Sequence, residues 1–312
     1  MFNSKNLRDI SLQKLSLDRY MRSTKEIKAL FHLLDDPDLE IYNTVSNKLI
    51  HFGKDIIPNL EDYWEHTENN EVQERIEAII HKVNLNDVNA QFNTWLSISQ
   101  PNLLDGSLIV ARLRYPDLDE TAIRKTIKEI YQACWLELNN YLTPLEQITI
   151  INSIFYSMFK FQGLEIEETK PNHFFINDLL ETRTGNNYSL ALLYQYLCES
   201  LDLPVFAVML PKQYFLAYFG TNYDYRDLDR RSKPKIQFYI DPCSGVIYSQ
   251  NDVDVYIKKY NLIVEEENFL PQNSKQVIFQ NLEALAYVYE QAGDELAFSE
   301  IKHLISMFDF NA

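Results

Sequence analysis

The chain has 312 residues, enough to bury a large core and to hold two or three domains. It carries 29 Lys and Arg against 45 Asp and Glu, a net charge of −16, which repels phosphate backbones and anionic lipid and makes nucleic acid and membrane surfaces poor partners. Only seven glycines argue for a helix-rich architecture, since the loops of all-β folds consume more. Residues 1–22 read as a leader, alternating charged and apolar residues with no continuous hydrophobic run and so no secretory signal. Between 23 and 85 four short helices are legible. Ile27, Leu30, Phe31 and Leu34 share one face; Ile41, Val45, Leu49 and Phe52 make the next, closed by Gly53. Ile56, Ile57, Leu60 and Trp64 form a third stripe, and Val72, Ile76, Ile79, Ile80 and Val83 a fourth.

The phrase from Ala29 to Asp38, with its Asp35-Asp36-Pro37-Asp38 break, resembles a HEAT-type helical pair. Two such pairs fall short of a free-standing solenoid, so a helical module attached to the rest is expected over 23–85. Residues 86–163 are helical again. Thr143-Pro144-Leu145-Glu146 is a capping box, and the helix it starts carries Ile148, Ile151, Phe155 and Phe159 on its buried face, stopping near Gly163. Its apolar stretch, 148–159, is interrupted by Asn152 and Ser153 and is too short to span a bilayer.

Beyond Gly163 the period changes. The apolar helix 190–201 is followed by three runs, 205–210, 214–219 and 236–240, rich in β-branched and aromatic residues and bounded by Pro204, Pro211, Gly220 and Pro242. The segment 221–235, mixed in charge and tyrosine-bearing, reads as a hairpin tip, either a solvated loop or a partner-contacting flap. Asp252 is expected to cap a helix reaching Tyr260, and from Ser274 two helices run to the end across a break at Gly293. Three cysteines, Cys134, Cys198 and Cys243, are odd in number and widely spaced, unlike a disulfide framework, and suit a reducing cytoplasm.

The phrases Gly106-Ser107-Leu108-Ile109-Val110-Ala111-Arg112-Leu113, Leu179-Leu180-Glu181-Thr182-Arg183-Thr184-Gly185, Ser189-Leu190-Ala191-Leu192-Leu193-Tyr194, Pro211-Lys212-Gln213 and Ile240-Asp241-Pro242 together resemble the transglutaminase-like superfamily, in particular its bacterial SirB/YchA-type family. The tail from Ser274 is similar to the tetratricopeptide-like end of that family. The resemblance implies a helix-rich α+β fold: a transglutaminase/papain-like core with a small antiparallel sheet, flanked by the HEAT-like module and a C-terminal helical hairpin. The implied divisions are a leader at 1–22, the module at 23–85, the core at 86–265 (helical to 163, helix-plus-sheet from 164) and the hairpin at 266–312.

Cysteine-dependent acyl transfer needs a thiol at a helix N-terminus, a histidine that takes and returns its proton, and an aspartate that orients the ring. In the resemblance the cysteine precedes the proline of a later turn by about seventeen residues, and counting back from Pro204 lands on Asn187, whose amide is no nucleophile. Where relatives read Pro-Gly-His-Phe this chain reads Pro211-Lys212-Gln213-Tyr214, and glutamine shuttles no proton. Asp241 alone matches its position. Ser189 is open to two readings, a helix cap or a nucleophile in want of a base. Cys243 is either a small buried hydrophobe or a thiol facing the cleft, and His173, alone among the six histidines in lying near the core, is the candidate displaced base. Arg183 is expected to pair with Glu181 or to reach Asp241, and Gly185 to supply a positive φ or a close backbone approach. Tyr188, Tyr194 and Tyr214 complete the expected cleft lining. No histidine sits at zinc spacing, so neither metal nor cofactor is expected. The expected protein is a cytoplasmic pseudoenzyme acting through a protein partner. Two alternatives stay open: a hydrolase using Ser189 or Cys243 with a relocated base, and a peptide- or small-ligand-binding module.

Overall fold

In the computed structural model, residues 26–164, 168–211, 213–220 and 235–309 are described, with Gln213 described by its backbone alone. The leader, Lys212 and residues 221–234 of the expected hairpin tip lie outside the described residues. Packing divides the chain into two compact units, Met1–Asn89 and Ala90–Ala312.

The four apolar stripes become α1 (26–32), α2 (Leu39–His51), α3 (Ile57–His66) and α4, which at Asn70–Ser97 runs well past the predicted stripe. It continues because no Gly or Pro interrupts the chain between Asn70 and Pro101. Leu34, Leu49, Leu60 and Ile76 meet in a core from which water is excluded. Asp38 caps α2, its carboxylate accepting from the Glu40 amide at 2.8 Å. Gly53 follows the helix at φ +66°. Arg75 donates to the carbonyls of Leu34 and Asp36, at 2.6 and 2.9 Å, satisfying acceptors left over where α1 ends.

The second unit is built round a buried helix. After α5 (Leu103–Ala111) come α6 (Glu120–Glu137) and α7 (Pro144–Asn152). The predicted capping box at Thr143 and Glu146 forms, but the helix keeps α-geometry only to Asn152. Ser153–Met158 is a π turn, and the chain leaves it through Lys160 at φ +62°. A two-residue strand β1 (Gln162–Gly163) pairs in parallel with β2 (Thr184–Gly185), with α8 (Ile176–Thr182) between them. Then α9 (Asn187–Ser200) leads into an antiparallel meander of β3 (Val205–Leu210), β4 (Gln213–Phe219), β5 (Ile236–Ile240) and β6 (Ile247–Tyr248). The chain ends in α10 (Gln250–Lys259), α11 (Ser274–Ala292) and α12 (Glu295–Ser306), the last two packed as a hairpin about Gly293 at φ +72°. Ser249 rather than Asp252 caps α10; Asp252, at the third helical position, returns the bond to the Ser249 amide.

Period-two alternation divides the sheet residues between two faces. Phe206, Val208 and Leu210 of β3 join Phe215, Ala217 and Phe219 of β4 and Val253 of α10 on the outer face. The inner face packs on α9, whose apolar residues run almost all round because α5, α8 and α11 cover its other sides. The open edge at β3 is closed by side chains and a loop. Gln195 Oε1 accepts from the Ala207 amide at 2.8 Å, the Gln272 amide donates to the Ala207 carbonyl at 2.9 Å, and Asn268 donates to the Met209 carbonyl at 2.9 Å. This is the expected helix-rich α+β architecture with a small antiparallel sheet.

Candidate functional site

Asn186, not Ser189, is the N-cap of α9. Its Oδ1 accepts from the amides of Tyr188 and Ser189, at 3.0 and 2.9 Å. Ser189 holds the third helical position and completes the box: its Oγ accepts from the Asn186 amide at 3.2 Å and donates to the Asn186 carbonyl at 3.4 Å. Both residues are buried. Gly185 does not take a positive φ; its contribution is closeness, since a Cβ there would stand 2.6 Å from Ser189 Oγ and 2.7 Å from Leu179 Cδ1. Asn187 opens the helix and is half-buried.

The strand residue that meets this helix start is Tyr214. Its ring lies 5.0 Å from that of Tyr188, which in turn stacks on Phe174 at 6.3 Å. Burial raises the pKa of both hydroxyls above the ordinary tyrosine value. The Tyr214 hydroxyl donates to Gln272 Oε1 at 3.4 Å. Tyr194 lines no cleft: it is fully buried and its hydroxyl donates to Asn152 Oδ1 at 2.8 Å.

Asp241 follows β5, but its carboxylate is turned onto its own loop. Oδ1 accepts from the Cys243 amide at 2.9 Å and Oδ2 from the Ser244 hydroxyl at 2.7 Å, while the Asp241 carbonyl accepts from the Gly245 amide at 2.8 Å. The loop is clamped from the helical side. Asn152 Nδ2 donates to the Gly245 carbonyl at 2.7 Å, and Tyr156, half-buried and with its hydroxyl pKa raised by desolvation, donates to the Pro242 carbonyl at 2.8 Å. Gly163 completes the clamp: its amide donates to the Cys243 carbonyl at 3.1 Å, and a Cβ on it would lie 2.3 Å from Cys243 Cβ. Cys243 is half-exposed rather than a small buried hydrophobe. Cys134 and Cys198 are core, their thiol pKa values raised by burial.

His173 makes no hydrogen bond to Ser189. Its Nδ1 accepts from the Lys170 amide at 3.0 Å, and burial together with Lys170 lowers its pKa. Arg183 takes neither expected carboxylate. At φ +60° it closes α8, and its guanidinium lies over the rings of Phe161 and Phe159, at 5.1 and 5.8 Å. Among the described residues no cluster of three or more His, Cys, Asp or Glu is placed to hold a metal ion, and no helix is long and apolar enough to cross a membrane. Asn186, Asn152 and Tyr156 are the site residues that sequence reasoning missed. Only Asn186 had a local signal, an Asn immediately before an apolar helix with a hydroxyl residue three positions on.

The family described as the transglutaminase-like superfamily matches residues 121–283. A UPF0162 protein of Buchnera aphidicola is similar to the chain, 21% identical over 216 residues that cover 68% of this chain and 76% of that protein. UPF0162 proteins of two Xylella fastidiosa strains are 25% identical over 115 residues, covering 36% of this chain and 41% of theirs. No solved structure matches the chain.

Proposed function

The chain belongs to the transglutaminase-like superfamily, and from that premise we propose that it is a non-catalytic member, working in the cytoplasm by protein contact as an interaction or regulatory scaffold. The observation that carries the reading is Ser189. Its hydroxyl is buried, its proton and one lone pair are engaged by the Asn186 backbone, and among the described residues it makes no hydrogen bond to an imidazole. An unassisted hydroxyl is almost wholly protonated at neutral pH, and losing a triad member costs on the order of 10⁴ to 10⁶ in rate. Asn187 and Gln213 at the thiol and base positions, and an Asp241 carboxylate engaged by its own turn, support the same reading. A contact role is supported by Trp135, Leu136, Tyr141 and Leu145, which expose 61%, 73%, 96% and 52% of their surface along the turn from α6 to α7. Large apolar side chains left in water so close in sequence suit a partner's surface. The proposed scaffold is of the SirB/YchA type, with HEAT-like and tetratricopeptide-like helical ends.

The test exposes purified protein to serine- and thiol-directed activity probes and to peptide-amide and glutamine-donor substrates. The expected result is no turnover above background and no probe on Ser189. Turnover that disappears in Ser189→Ala or Cys243→Ala would establish the rival hydrolase. For the contact role, Trp135→Ala combined with Tyr141→Ala is expected to abolish crosslinking to the partner while the fold persists; unchanged crosslinking would remove that surface from the proposal.

A further inference from the structure

On the outer face of the sheet a cavity of about 310 Å³ opens between β4, β6 and α10. It is at the small end of the roughly 300–1,000 Å³ range of ligand sites. Three of its walls are aromatic. The Phe215 ring stands nearly perpendicular to those of Tyr248 and Tyr256, at 72° and 88°, with centroids 5.9 and 6.5 Å away. Phe215 is buried, whereas the two tyrosines are half-exposed and form the mouth. The remaining polar lining is Asp241 and Asp252. Both carboxylates also accept from neighbouring amides and hydroxyls, which hold their orientation without neutralising their charge. Their negative field reaches the Tyr248 ring, whose hydroxyl pKa is raised by burial and then by these two groups. Among the described residues neither carboxylate is ion-paired.

We propose that this cavity is a binding site for a compact organic cation, an alkylammonium or quaternary ammonium group, held against the faces of Phe215, Tyr248 and Tyr256 and compensated by Asp241 and Asp252. Ring faces carry negative charge density and attract a weakly hydrated cation, and carboxylates at the rim add the Coulombic part. A hard metal ion is a poor fit, because two carboxylates already bonded to backbone amides and hydroxyls leave too few oxygens to replace its water. A neutral apolar ligand would gain nothing from the acids and would leave them desolvated. The chain uses the same chemistry one ring further along α10: Lys259 Nζ lies 5.1 Å from the Tyr260 centroid, and Tyr260 lies 5.0 Å from Tyr256. Of its lining residues only Asp241 stands at a position that the superfamily's reaction would use.

The experiment is ligand-observed saturation-transfer NMR and calorimetry on the full chain, with choline, N-acetyl-lysine methylamide and the neutral choline isostere 3,3-dimethylbutanol. Expected are transfer from the cations, weakening with added salt, and binding of the isostere at least fivefold poorer. Tyr256→Leu, at a half-exposed position, is expected to weaken choline binding by roughly fivefold to thirtyfold. Asp241→Asn is expected to flatten the salt dependence, with circular dichroism confirming that both variants keep the fold. Tighter binding of the lysine derivative assigns the site to a protein side chain, and tighter binding of choline to a free quaternary amine; either result supports it. Equal binding of the isostere, wild-type affinity in Tyr256→Leu, or no transfer from either cation would overturn it.

Discussion

Removing the Asn186 side chain tests whether the start of α9 is a structural cap. Asn186→Ala deletes the acceptor for two amides, those of Tyr188 and Ser189, at 3.0 and 2.9 Å, the second of them on a buried residue. A lost N-cap costs about 1 kcal/mol, and a buried amide left without a partner costs about 1–3 kcal/mol more. The expected loss is therefore about 2–4 kcal/mol, a large part of the roughly 5–15 kcal/mol that holds a domain together. Ser189→Ala removes one long accepted bond, at 3.2 Å, and one longer donated bond, at 3.4 Å, and is expected to cost about 1 kcal/mol. Asn186→Ser, which keeps a capping oxygen, is expected to recover at least half of the alanine loss. The assay is urea unfolding by tryptophan fluorescence in a Trp64→Phe background, which leaves Trp95 and Trp135 to report on residues 90–312. A loss below about 1 kcal/mol in Asn186→Ala, or one as large in Ser189→Ala, would refute the capping argument.

Gly163→Ala places a Cβ 2.3 Å from Cys243 Cβ and 2.8 Å from its Cα, so the clamp on the Asp241 loop must shift. A loss of about 1–3 kcal/mol is expected, with faster hydrogen exchange at the Cys243 and Gly245 amides; unchanged exchange would show that the clamp is not closed there. Gln195→Ala strips the Ala207 amide at the sheet edge of its partner and is expected to lower the midpoint of thermal unfolding by several degrees, with a stability loss of about 2–4 kcal/mol by chemical denaturation. Glu199 is half-buried beside Gln195, and desolvation raises its pKa. A carboxyl with a raised folded pKa binds its proton more tightly in the native state. Its stabilising contribution is complete below the unfolded pKa and is lost as pH rises through the folded pKa. Glu199→Gln keeps an acceptor for Gln195 and carries no charge, so it is expected to melt above wild type at about pH 7 and to converge with it near pH 4. A gap independent of pH would refute the assignment.

Much of the fold was legible because helix and strand periods are local properties. The stripes from Ile27 to Val83, the Thr143 capping box, the Gly53 and Gly293 breaks and the three β-branched runs each depend on residues within a turn or two of one another. The cap of α9 lay at the limit of that reach. Asn186 and Ser189 are three residues apart, and the sequence does not say which of two capping side chains stands outside the helix. The π turn at Ser153–Met158 has no comparable signal, because its unwinding accompanies the contacts that Asn152 and Tyr156 make with a loop some ninety residues away.

By itself, the order of residues determined which groups are available: amides at Asn187 and Gln213, a hydroxyl at Ser189 and a carboxylate at Asp241. Only the tertiary structure decided where the available groups are spent. Asp241 folds back on Cys243 and Ser244, His173 receives the Lys170 amide, and Arg183 lies on two phenylalanine rings. It also gathered Phe215, Tyr248 and Tyr256 around one cavity from three separate elements. The physical reason is that hydrogen bonds and ring contacts act over a few ångströms in space, whatever the separation along the chain.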